Sequence, residues 1–319
     1  MFRKINLKTI IILFVVLLAI VVITTITGSK KENRSFKGNL TEFNADQVDK
    51  IVISPKVMKG KKVEISKAND HWTLLADGKK FNADQRQVES LVNELNQIKP
   101  RSVVSTKKER WDDYQVTDSL GTRVQLYSGN MVLEDIYLGK FSFSGRDATS
   151  YVRLANDKTT YGIAGSQSST ANRNADGFKD KTVINSESGE WNKITFSYPG
   201  DSSFVIQKQG DKWNIDGTET DSVKTAGFLS SLAAVNHYKF ASTEPSGNPQ
   251  YAVKIEGKKR TAPIEVNGYQ QNDLFIVSTS QNPGVFFEGK GLMKKLYPPK
   301  SRFTKTAPPK GAAKHDNNK

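Results

Sequence analysis

The densest group of side chains with chemical potential is the run Arg110-Trp111-Asp112-Asp113-Tyr114. A tryptophan beside a guanidinium and carboxylates can stack on a sugar ring and hydrogen-bond to its hydroxyl groups. Glycoside hydrolysis needs two carboxyl groups that face one bond at a separation of about 5–10 Å, whereas adjacent side chains point apart. The run therefore favours a ligand or partner contact through Arg110, Trp111 and Tyr114 over catalysis. The alternative is a connector that Trp111 or Tyr114 anchors.

A second candidate contact is the polar loop of residues 141–147, which precedes a strand-like Tyr-Val-Arg run. Exposed aromatic side chains beside an arginine are typical of surfaces that bind a partner. Phe141, Phe143 and Arg146 are therefore candidate partner contacts. The alternative is a hairpin loop in which Phe141 or Phe143 is tucked inward.

Residues that usually carry catalysis or metal binding are sparse. The chain has no cysteine, and its three histidines, His71, His237 and His315, show no ligand spacing. A metal site needs three or four convergent ligands. The sequence also lacks a Gly-x-Ser-x-Gly elbow, a Walker A sequence and a Gly-x-Gly-x-x-Gly fingerprint. We therefore expect a protein that is not an enzyme, without catalytic residues, cofactor or metal. A hydrolase that uses His71 or His237 stays open as an alternative.

Residues 9–27 form a long apolar run without any charge. At about 1.5 Å per residue such a run spans the ~30 Å hydrocarbon core of a bilayer, so it predicts one transmembrane helix. Basic residues flank the run on both sides. Long domains translocate largely regardless of flanking charge, so residues 1–8 are expected in the cytoplasm. This predicts a single-pass protein of the cell (inner) membrane with the bulk of the chain extracytoplasmic. A cleaved signal peptide is the alternative, although no Ala-x-Ala site follows the run.

The net charge of +14 indicates attraction to anionic lipids, anionic wall or surface polymers, or nucleic acid. Export argues against nucleic acid as a partner. Local basic clusters fall at residues 59–62, 107–110 and 258–260, where turns are expected. Residues 298–319 are basic, contain two Pro-Pro pairs and are poor in apolar side chains. We expect a disordered tail there, because such a segment buries too little surface to offset its ordering entropy.

The remainder of the chain reads as two similar halves. In each half two short strands precede a tryptophan strand, at Trp72 and Trp213, and an amphipathic helix follows. In the first half Asp84 is the expected N-cap of this helix, with Gln87 as its capping-box partner. Four further alternating strands complete each half. The pattern predicts an α+β fold with an N-terminal transmembrane helix and two tandem similar domains, each a mainly antiparallel sheet with one covering helix.

These patterns also predict the boundaries of the segments. In chain order they are a cytoplasmic tail (1–8), a transmembrane helix (9–27), a linker (28–46), a first α+β repeat (47–165), a second linker (166–188), a second α+β repeat (189–297) and a disordered basic tail (298–319). The second linker is rich in Ser, Asn, Gly and Asp, so we expect a hinge there. The equivalent places of Trp72 and Trp213 predict a shared role in the core of each half.

Several short motifs carry a family resemblance; they are Trp72, Leu138-Gly139-Lys140, Tyr151-Val152-Arg153-Leu154 and Phe178-Lys179-Asp180-Lys181. Through these motifs the chain from about residue 70 to 185 resembles the DUF4340 family, with a weaker similarity to residue 290. Residues 114–119 lack the Gly and Pro of the family's Tyr-Gly-Leu-Asp-x-Pro pattern. Family members are typically membrane-anchored, and some resemble auxiliary parts of ABC-type transport systems. The resemblance implies a non-enzymatic extracytoplasmic module and offers no active site to carry over.

Three functions are consistent with these observations. The anchor, the duplicated sheets and the absence of a catalytic motif favour a membrane-anchored, non-enzymatic binding or assembly module, an accessory part of an envelope transport or surface machine. Its partners would be the membrane, through its own anchor, and another envelope protein. The first alternative is a binder of an anionic polysaccharide or wall polymer, which requires the basic residues around Arg110 and Trp111 to share one face. The second alternative is the hydrolase.

Overall fold

The computed structural model describes residues 38–305. The predicted cytoplasmic tail (1–8) and transmembrane helix (9–27) lie outside the described residues, as do residues 28–37 of the first linker and residues 306–319. Between residues 38 and 305 no helix is both long and apolar enough to cross a membrane.

Most of the regular secondary structure between residues 38 and 305 is antiparallel sheet. The first sheet contains β1 (Lys50–Ser54), β2 (Val63–Ala68), β3 (His71–Ala76), β4 (Lys79–Asn82), β5 (Pro100–Ser105), β6 (Thr122–Ser128), β7 (Met131–Ser144), β8 (Asp147–Leu154) and β9 (Thr160–Ala164). Across the sheet the strands lie in the order β4-β3-β2-β1-β6-β7-β8-β9-β5. Every neighbouring pair is antiparallel.

One face of the first sheet is covered by helix α1 (Gln85–Asn96). The buried side chains of α1 recur with the period of a helix; they are Val88, Leu91, Val92 and Leu95. The predicted cap is confirmed, because the Asp84 carboxylate accepts a hydrogen bond from the Gln87 backbone N–H at 3.2 Å. The prediction that the Gln87 side chain accepts a hydrogen bond from the Asp84 N–H, the reciprocal bond of a capping box, is wrong. The Asp84 N–H donates to the Phe178 carbonyl instead, and the Gln87 Oε1 accepts from Lys181.

The opposite face of the first sheet is polar in part. Val124 and Leu126 of β6 point into the core under α1, so Arg123 and Gln125 point to the other face. The connection between β5 and β6 crosses this second face and contains a single helical turn, α2 (Trp111–Tyr114). Short helix α3 (Gln167–Ala171) follows β9 and returns to the α1 side, where it contacts α1, β7 and β8.

A second sheet follows. Its strands are β11 (Trp191–Ser197), β12 (Phe204–Gln209), β13 (Lys212–Ile215), β14 (Thr218–Glu219), β16 (Tyr251–Gly257), β17 (Ile264–Gln271), β18 (Leu274–Thr279) and β19 (Phe286–Glu288). They lie in the order β14-β13-β12-β11-β16-β17-β18-β19. A separate antiparallel pair joins β10 (Thr182–Asn185) to β15 (Ala234–Asn236). Helix α4 (Ser222–Ala233) buries Phe228, Leu229 and Leu232 in the core of the second sheet, and α5 (Lys290–Leu296) follows β19.

Each sheet has its own hydrophobic core, and a phenylalanine that lies far along the chain completes it. Phe178 is fully buried in the core under α1, and its carbonyl accepts from the Asp84 N–H at 2.9 Å. Phe303 is fully buried in the second core, and its carbonyl accepts from the Asp221 N–H at 2.8 Å. Both aspartates are the N-caps of their helices. We call the chain around Phe178 and the chain around Phe303 the closing segments, because each one binds the start of the helix that covers its core.

The closing segments correct two predicted boundaries. The segment predicted as a hinge at 166–188 contains α3, the buried Phe178 and β10, and it is therefore part of the folded structure. The segment predicted as a disordered tail contributes residues 298–305 to the fold, including a 3-10 turn at Lys300–Arg302. The reason is the same in both places, because one large apolar side chain fills a core made by distant residues. The expected α+β class, mostly antiparallel sheet with few helices, is confirmed.

Candidate functional site

The residues predicted to bind a ligand near Trp111 lie on the second face of the first sheet. The connection that carries them presses directly on β7 at Gly139. A Cβ atom at Gly139 would overlap the Tyr114 carbonyl oxygen and approach the Val116 Cγ1 to 2.7 Å. Glycine is therefore required at this position so that the backbone of α2 can approach the sheet.

A buried arginine holds this connection in place. Arg153 of β8 is 3% exposed, and its guanidinium carbon lies 3.8 Å from the centroid of the Trp111 ring and 4.2 Å from that of Tyr137. Its Nε donates to the Val116 carbonyl at 3.0 Å, and its Nη1 donates to the Leu154 carbonyl at 2.9 Å. Burial lowers the pKa of Arg153. Stacking between two rings and hydrogen bonds to carbonyls compensate for the removal of this charge from water.

Two carboxylates, Asp118 and Asp135, bind side chains of the first sheet near the connection between β5 and β6. The Tyr137 hydroxyl donates to the Asp118 carboxylate. Arg123 makes a bidentate pair with Asp135, with N–O distances of 2.9 and 2.6 Å, and this hydrogen bonding raises the pKa of Arg123. Tyr137 is 5% exposed. Burial, followed by the hydrogen bond to Asp118, raises the pKa of Tyr137 to about 12.

Further cations lie above the same rings. The Lys108 Nζ is 5.3 Å from the Trp111 ring centroid, and the Arg110 guanidinium is 5.7 Å from that of Tyr114. Lys140 lies over both Tyr114 and Tyr151, at 5.2 and 5.3 Å. We call this surface the cation–aromatic face; its residues are Lys108, Arg110, Trp111, Tyr114, Tyr137, Lys140, Tyr151 and Arg153. Trp111 and Tyr114 also anchor the connection, since the Trp111 Nε1 donates to the Lys158 carbonyl at 2.9 Å.

The other three predicted contact residues lie elsewhere. Phe141 pairs with Ser150, whose hydroxyl bonds to the Gly165 carbonyl and the Ser168 N–H on the α3 side. Phe141 therefore points to the opposite face from Lys140 and Tyr114. Phe143 is 70% exposed near the end of the β7–β8 hairpin, and Arg146 is exposed in its turn. The six predicted contacts thus form two separate groups.

A groove lies between the start of α1 and the separate β10–β15 pair, which packs on the second core through Ile184 and Val235. Its cavity volume is about 720 Å³, in the size range of small-ligand sites. It is lined by Asp84 and the first turn of α1, by Arg173, by Asp180, Lys181, Thr182, Ile184 and Asn185, and by residues of and after β15 that include Tyr238. We call it the junction groove, because elements of both sheet regions form its walls.

The floor of the junction groove is polar and positively charged. Lys181 donates to the Asp84 carboxylate and to the Gln87 Oε1, both at 2.9 Å. Within residues 38–305 the buried Gln87 Nε2 has no hydrogen-bond partner. Arg86 and Arg173 are exposed at the groove and have no carboxylate partner in the same range. These two exposed guanidiniums can bind carboxylate or carbonyl oxygens.

The two histidines inside the described chain lie apart from one another. His71 is exposed at the start of β3. His237 is half-buried, and its Nε2 hydrogen-bonds to the Glu288 backbone carbonyl at 2.8 Å. From residue 38 to residue 305 no group of three or more His, Asp or Glu side chains is arranged to hold a metal ion. Trp72 is buried in the first core as expected, whereas Trp213 is partly buried against the second.

Sequence reasoning missed the most buried member of the cation–aromatic face. It led to the expectation of edges or a cleft at the junction of the two domains, but it did not identify the residues that line the junction groove. One signal for Arg153 was available, because it follows the buried Val152 and must therefore point to the opposite face of the sheet. No comparable signal exists for Arg86, Arg173 and Lys181. They meet only after α1 and β10 have packed together.

Replacing Arg153 with lysine should lower the free energy of unfolding by about 2–4 kcal/mol, measured by urea denaturation. A lysine ammonium is not planar, so it loses the stacking on both rings and cannot reach both carbonyls. The matched control is Arg110→Lys, whose pair with Asp113 is exposed to solvent and is expected to contribute little to stability. Equal stability of Arg153→Lys and Arg110→Lys would contradict this account of the face.

Stability should also fall between about pH 10 and pH 12. The folded protein holds the Tyr137 proton more tightly than the unfolded chain does, because its pKa is about 12 in the fold. The resulting stabilisation is complete below the ordinary tyrosine pKa of about 10 and is lost as the pH rises to 12, by up to about 2 kcal/mol. Thermal unfolding at several pH values should show a shallower decline for Tyr137→Phe. An unchanged decline would contradict the prediction; Tyr238→Phe, in an exposed tyrosine, is the control.

The comparisons with known proteins agree with the family resemblance and extend it. The profile described as domain of unknown function (DUF4340) matches residues 72–254. The match begins at Trp72 in β3 and ends in β16, so it includes the junction groove. It extends past residue 185, where the stronger similarity was expected to end, and stops before residue 290, the expected limit of the weaker similarity. The searches of curated proteins and of solved structures each found no match. Because the profile covers more than half of the 319 residues, the chain belongs to the DUF4340 family.

Proposed function

We propose that this chain is a membrane-anchored, extracytoplasmic and non-enzymatic binding module in which two tandem similar units hold an envelope protein at their junction. The junction groove is the observation that carries the proposal. The uncharged apolar run at 9–27 supports the anchor. An accessory part of an envelope transport or surface machine is the role that fits this arrangement.

Repetition of structural detail supports the tandem units. Apart from β5 at the far edge of the first sheet, the two sheets share one strand order. In both, a capping aspartate opens the covering helix and its N–H donates to the carbonyl of a buried phenylalanine, Phe178 or Phe303. Both units also place an Asp-Gly turn with positive φ at both residues between the third and fourth strands, at Asp77-Gly78 and Asp216-Gly217. Several independent contacts thus recur at matching positions.

The chemistry of the junction groove favours an acidic segment of the partner. Three cations line it against two carboxylates, Asp84 and Asp180. Both carboxylates are engaged inside the protein, Asp84 by Lys181 and Asp180 by the Thr182 N–H at 2.9 Å. Arg86 and Arg173 therefore present unneutralised positive charge to whatever occupies the groove. A carboxylate between them would gain charge-assisted hydrogen bonds.

Reversing this charge tests the proposal. The full chain and its Arg86→Glu/Arg173→Glu variant are expressed in the native membrane, crosslinked and purified. We expect the parent to recover a stoichiometric envelope protein and the variant to recover at least tenfold less of it. The matched control, Lys59→Glu/Lys62→Glu, makes the same charge change in an exposed loop and should recover the parental amount. Equal recovery by both variants would contradict the groove as the binding site.

The cation–aromatic face favours a second candidate function, the binding of an anionic polysaccharide or wall polymer. Lys108, Arg110 and Lys140 lie over aromatic rings on one surface, as this alternative requires. Aromatic rings can stack on sugars while the cations bind carboxylates or phosphates. If this is the function, polygalacturonate should bind the full chain in detergent and dissociate steeply as salt rises from 50 to 500 mM. Lys108→Glu/Lys140→Glu should weaken binding at least tenfold relative to Lys59→Glu/Lys62→Glu, and equal affinities would reject this function.

A further inference from the structure

The exposed end of the β7–β8 hairpin combines apolar and cationic side chains. Phe143 is 70% exposed, and its ring meets the Phe141 ring edge to face at a centroid distance of 4.7 Å. The turn that follows contains Gly145, with a φ of 63°, and the exposed Arg146. Phe141 is half-buried, so Phe143 is the exposed member of the pair, and an exposed aromatic ring is costly in water unless something covers it. We call residues 141–147 the hairpin tip.

Further positive charge surrounds the hairpin tip. Arg101, near the start of β5, lies 3.9 Å from Asp147 of the tip, so this end of β5 is adjacent to it. Lys99 precedes the same strand and is exposed. Three cations, Lys99, Arg101 and Arg146, thus accompany one carboxylate, Asp147. This surface has an apolar centre and a net positive rim.

The described chain enters the fold close to the hairpin tip. The Leu40 N–H donates to the Ile98 carbonyl at 2.7 Å, two residues before β5 starts. The chain that arrives from the predicted anchor therefore meets the fold beside the start of β5, which is also the end of the sheet that carries the hairpin tip. Residues 28–37 reach at most about 35 Å when fully extended. The hairpin tip and the point where the chain enters the fold therefore lie at the same end of the first sheet.

We infer that the hairpin tip docks on the surface of the bilayer that anchors the chain, an inference that rests on the proposed membrane anchor. Phe143 and Phe141 enter the interfacial layer, where aromatic rings are favoured. Arg146, Arg101 and Lys99 bind the phosphates of anionic lipids at the headgroup level. The tip and the anchor together fix the orientation of the first sheet relative to the membrane.

The absence of cysteine from the chain allows the tip to be labelled at one site. Ser144→Cys places a fluorophore in the tip and keeps both phenylalanines. Asn130→Cys places the same fluorophore in the exposed turn before β7, at the far end of that strand and about 40 Å away. The full chain is reconstituted in vesicles of phosphatidylglycerol and phosphatidylcholine that contain a headgroup-nitroxide lipid.

We expect the nitroxide lipid to quench the label at residue 144 at least twofold more than the label at residue 130. Phe143→Ser/Arg146→Glu, added to Ser144→Cys, should remove this difference, and vesicles without phosphatidylglycerol should reduce it. Equal quenching at residues 144 and 130 would overturn the inference and assign the exposed Phe143 to a protein partner. Flotation of the vesicles separates the two claims. If the chain floats with the vesicles and the two labels are quenched equally, the anchor is present and the tip contact is absent. If the chain does not float, both the anchor and the tip contact are absent.

Discussion

Replacing Phe303 with alanine should lower the free energy of unfolding by about 3–5 kcal/mol, the usual cost of emptying a large aromatic site in a core. Phe303 is fully buried although it lies within the segment whose composition predicts disorder. Its ring lies 5.7 Å from the rings of Phe196 and Phe204 and 5.1 Å from that of Phe228. Urea denaturation of the full chain measures the effect.

Truncation after Lys305 and truncation after Tyr297 give the matched comparison. Both shortened chains lose the residues beyond 305, but only the second loses Phe303 and the carbonyl that binds the Asp221 N–H at the start of α4. We expect the first to keep parental stability and the second to resemble Phe303→Ala or to be less stable. Equal stability of the two truncated chains would show that the closing segment contributes nothing.

Replacing Gly139 with alanine should cost at least about 2–3 kcal/mol and should disorder the cation–aromatic face. The added methyl group would overlap the backbone of the α2 connection at Tyr114 and crowd Val116. Since backbone of the sheet and backbone of α2 meet there, neither side can move away by changing a rotamer. Tryptophan fluorescence should report the displacement of Trp111 from Arg153, alongside the loss of stability.

The matched control is Gly227→Ala in the middle of α4. Apart from the adjacent residues and the backbone of the helix itself, no atom lies within 4 Å of the Cβ that alanine would add at this exposed helical position. Alanine favours a helix over glycine by about 1 kcal/mol, so the control should be more stable than the parent. If Gly139→Ala were as stable as the parent, the close approach of α2 to β7 would be wrong.

The central strands and the covering helices could be predicted from the sequence because their burial alternates with a regular period. Val63 and Ile65 alternate with exposed residues in β2, and Val88, Leu91 and Leu95 mark one side of α1. Strand β5, at the edge of the first sheet, gave no such signal. Residues 101–103 of β5 are all exposed, so no alternation distinguishes that strand from a loop.

The closing segments were missed for a different reason. The Ser, Asn, Gly and Asp content around Phe178 is typical of a linker, and the composition after Tyr297 is typical of a tail. Both segments are fixed by contacts with residues some eighty or more positions away, such as the bond from the Asp221 N–H to the Phe303 carbonyl. Local composition carries no information about such partners, and tertiary burial overrides it.

The candidate site was predictable only where its residues are close in sequence. The run from Arg110 to Tyr114 was recognised as a mixed aromatic and charged constellation, and the structure places it on the cation–aromatic face. The contact between Trp111 and Arg153 depends on how the connection between β5 and β6 crosses β7 and β8. The spacing of residues in the sequence does not predict this crossing. The junction groove depends on two regions of the chain that only the folded arrangement brings together.

The central claim is that a partner protein binds in the junction groove, and a photo-crosslinker in place of Tyr238 tests it most directly. Tyr238 is 74% exposed at the groove, and the Lys181 Nζ lies 5.9 Å from its ring centroid. In native membranes the full chain should form one predominant adduct with an envelope protein, and the added Arg86→Glu/Arg173→Glu change should abolish it. No adduct, or an adduct that survives the charge reversal, would contradict the claim.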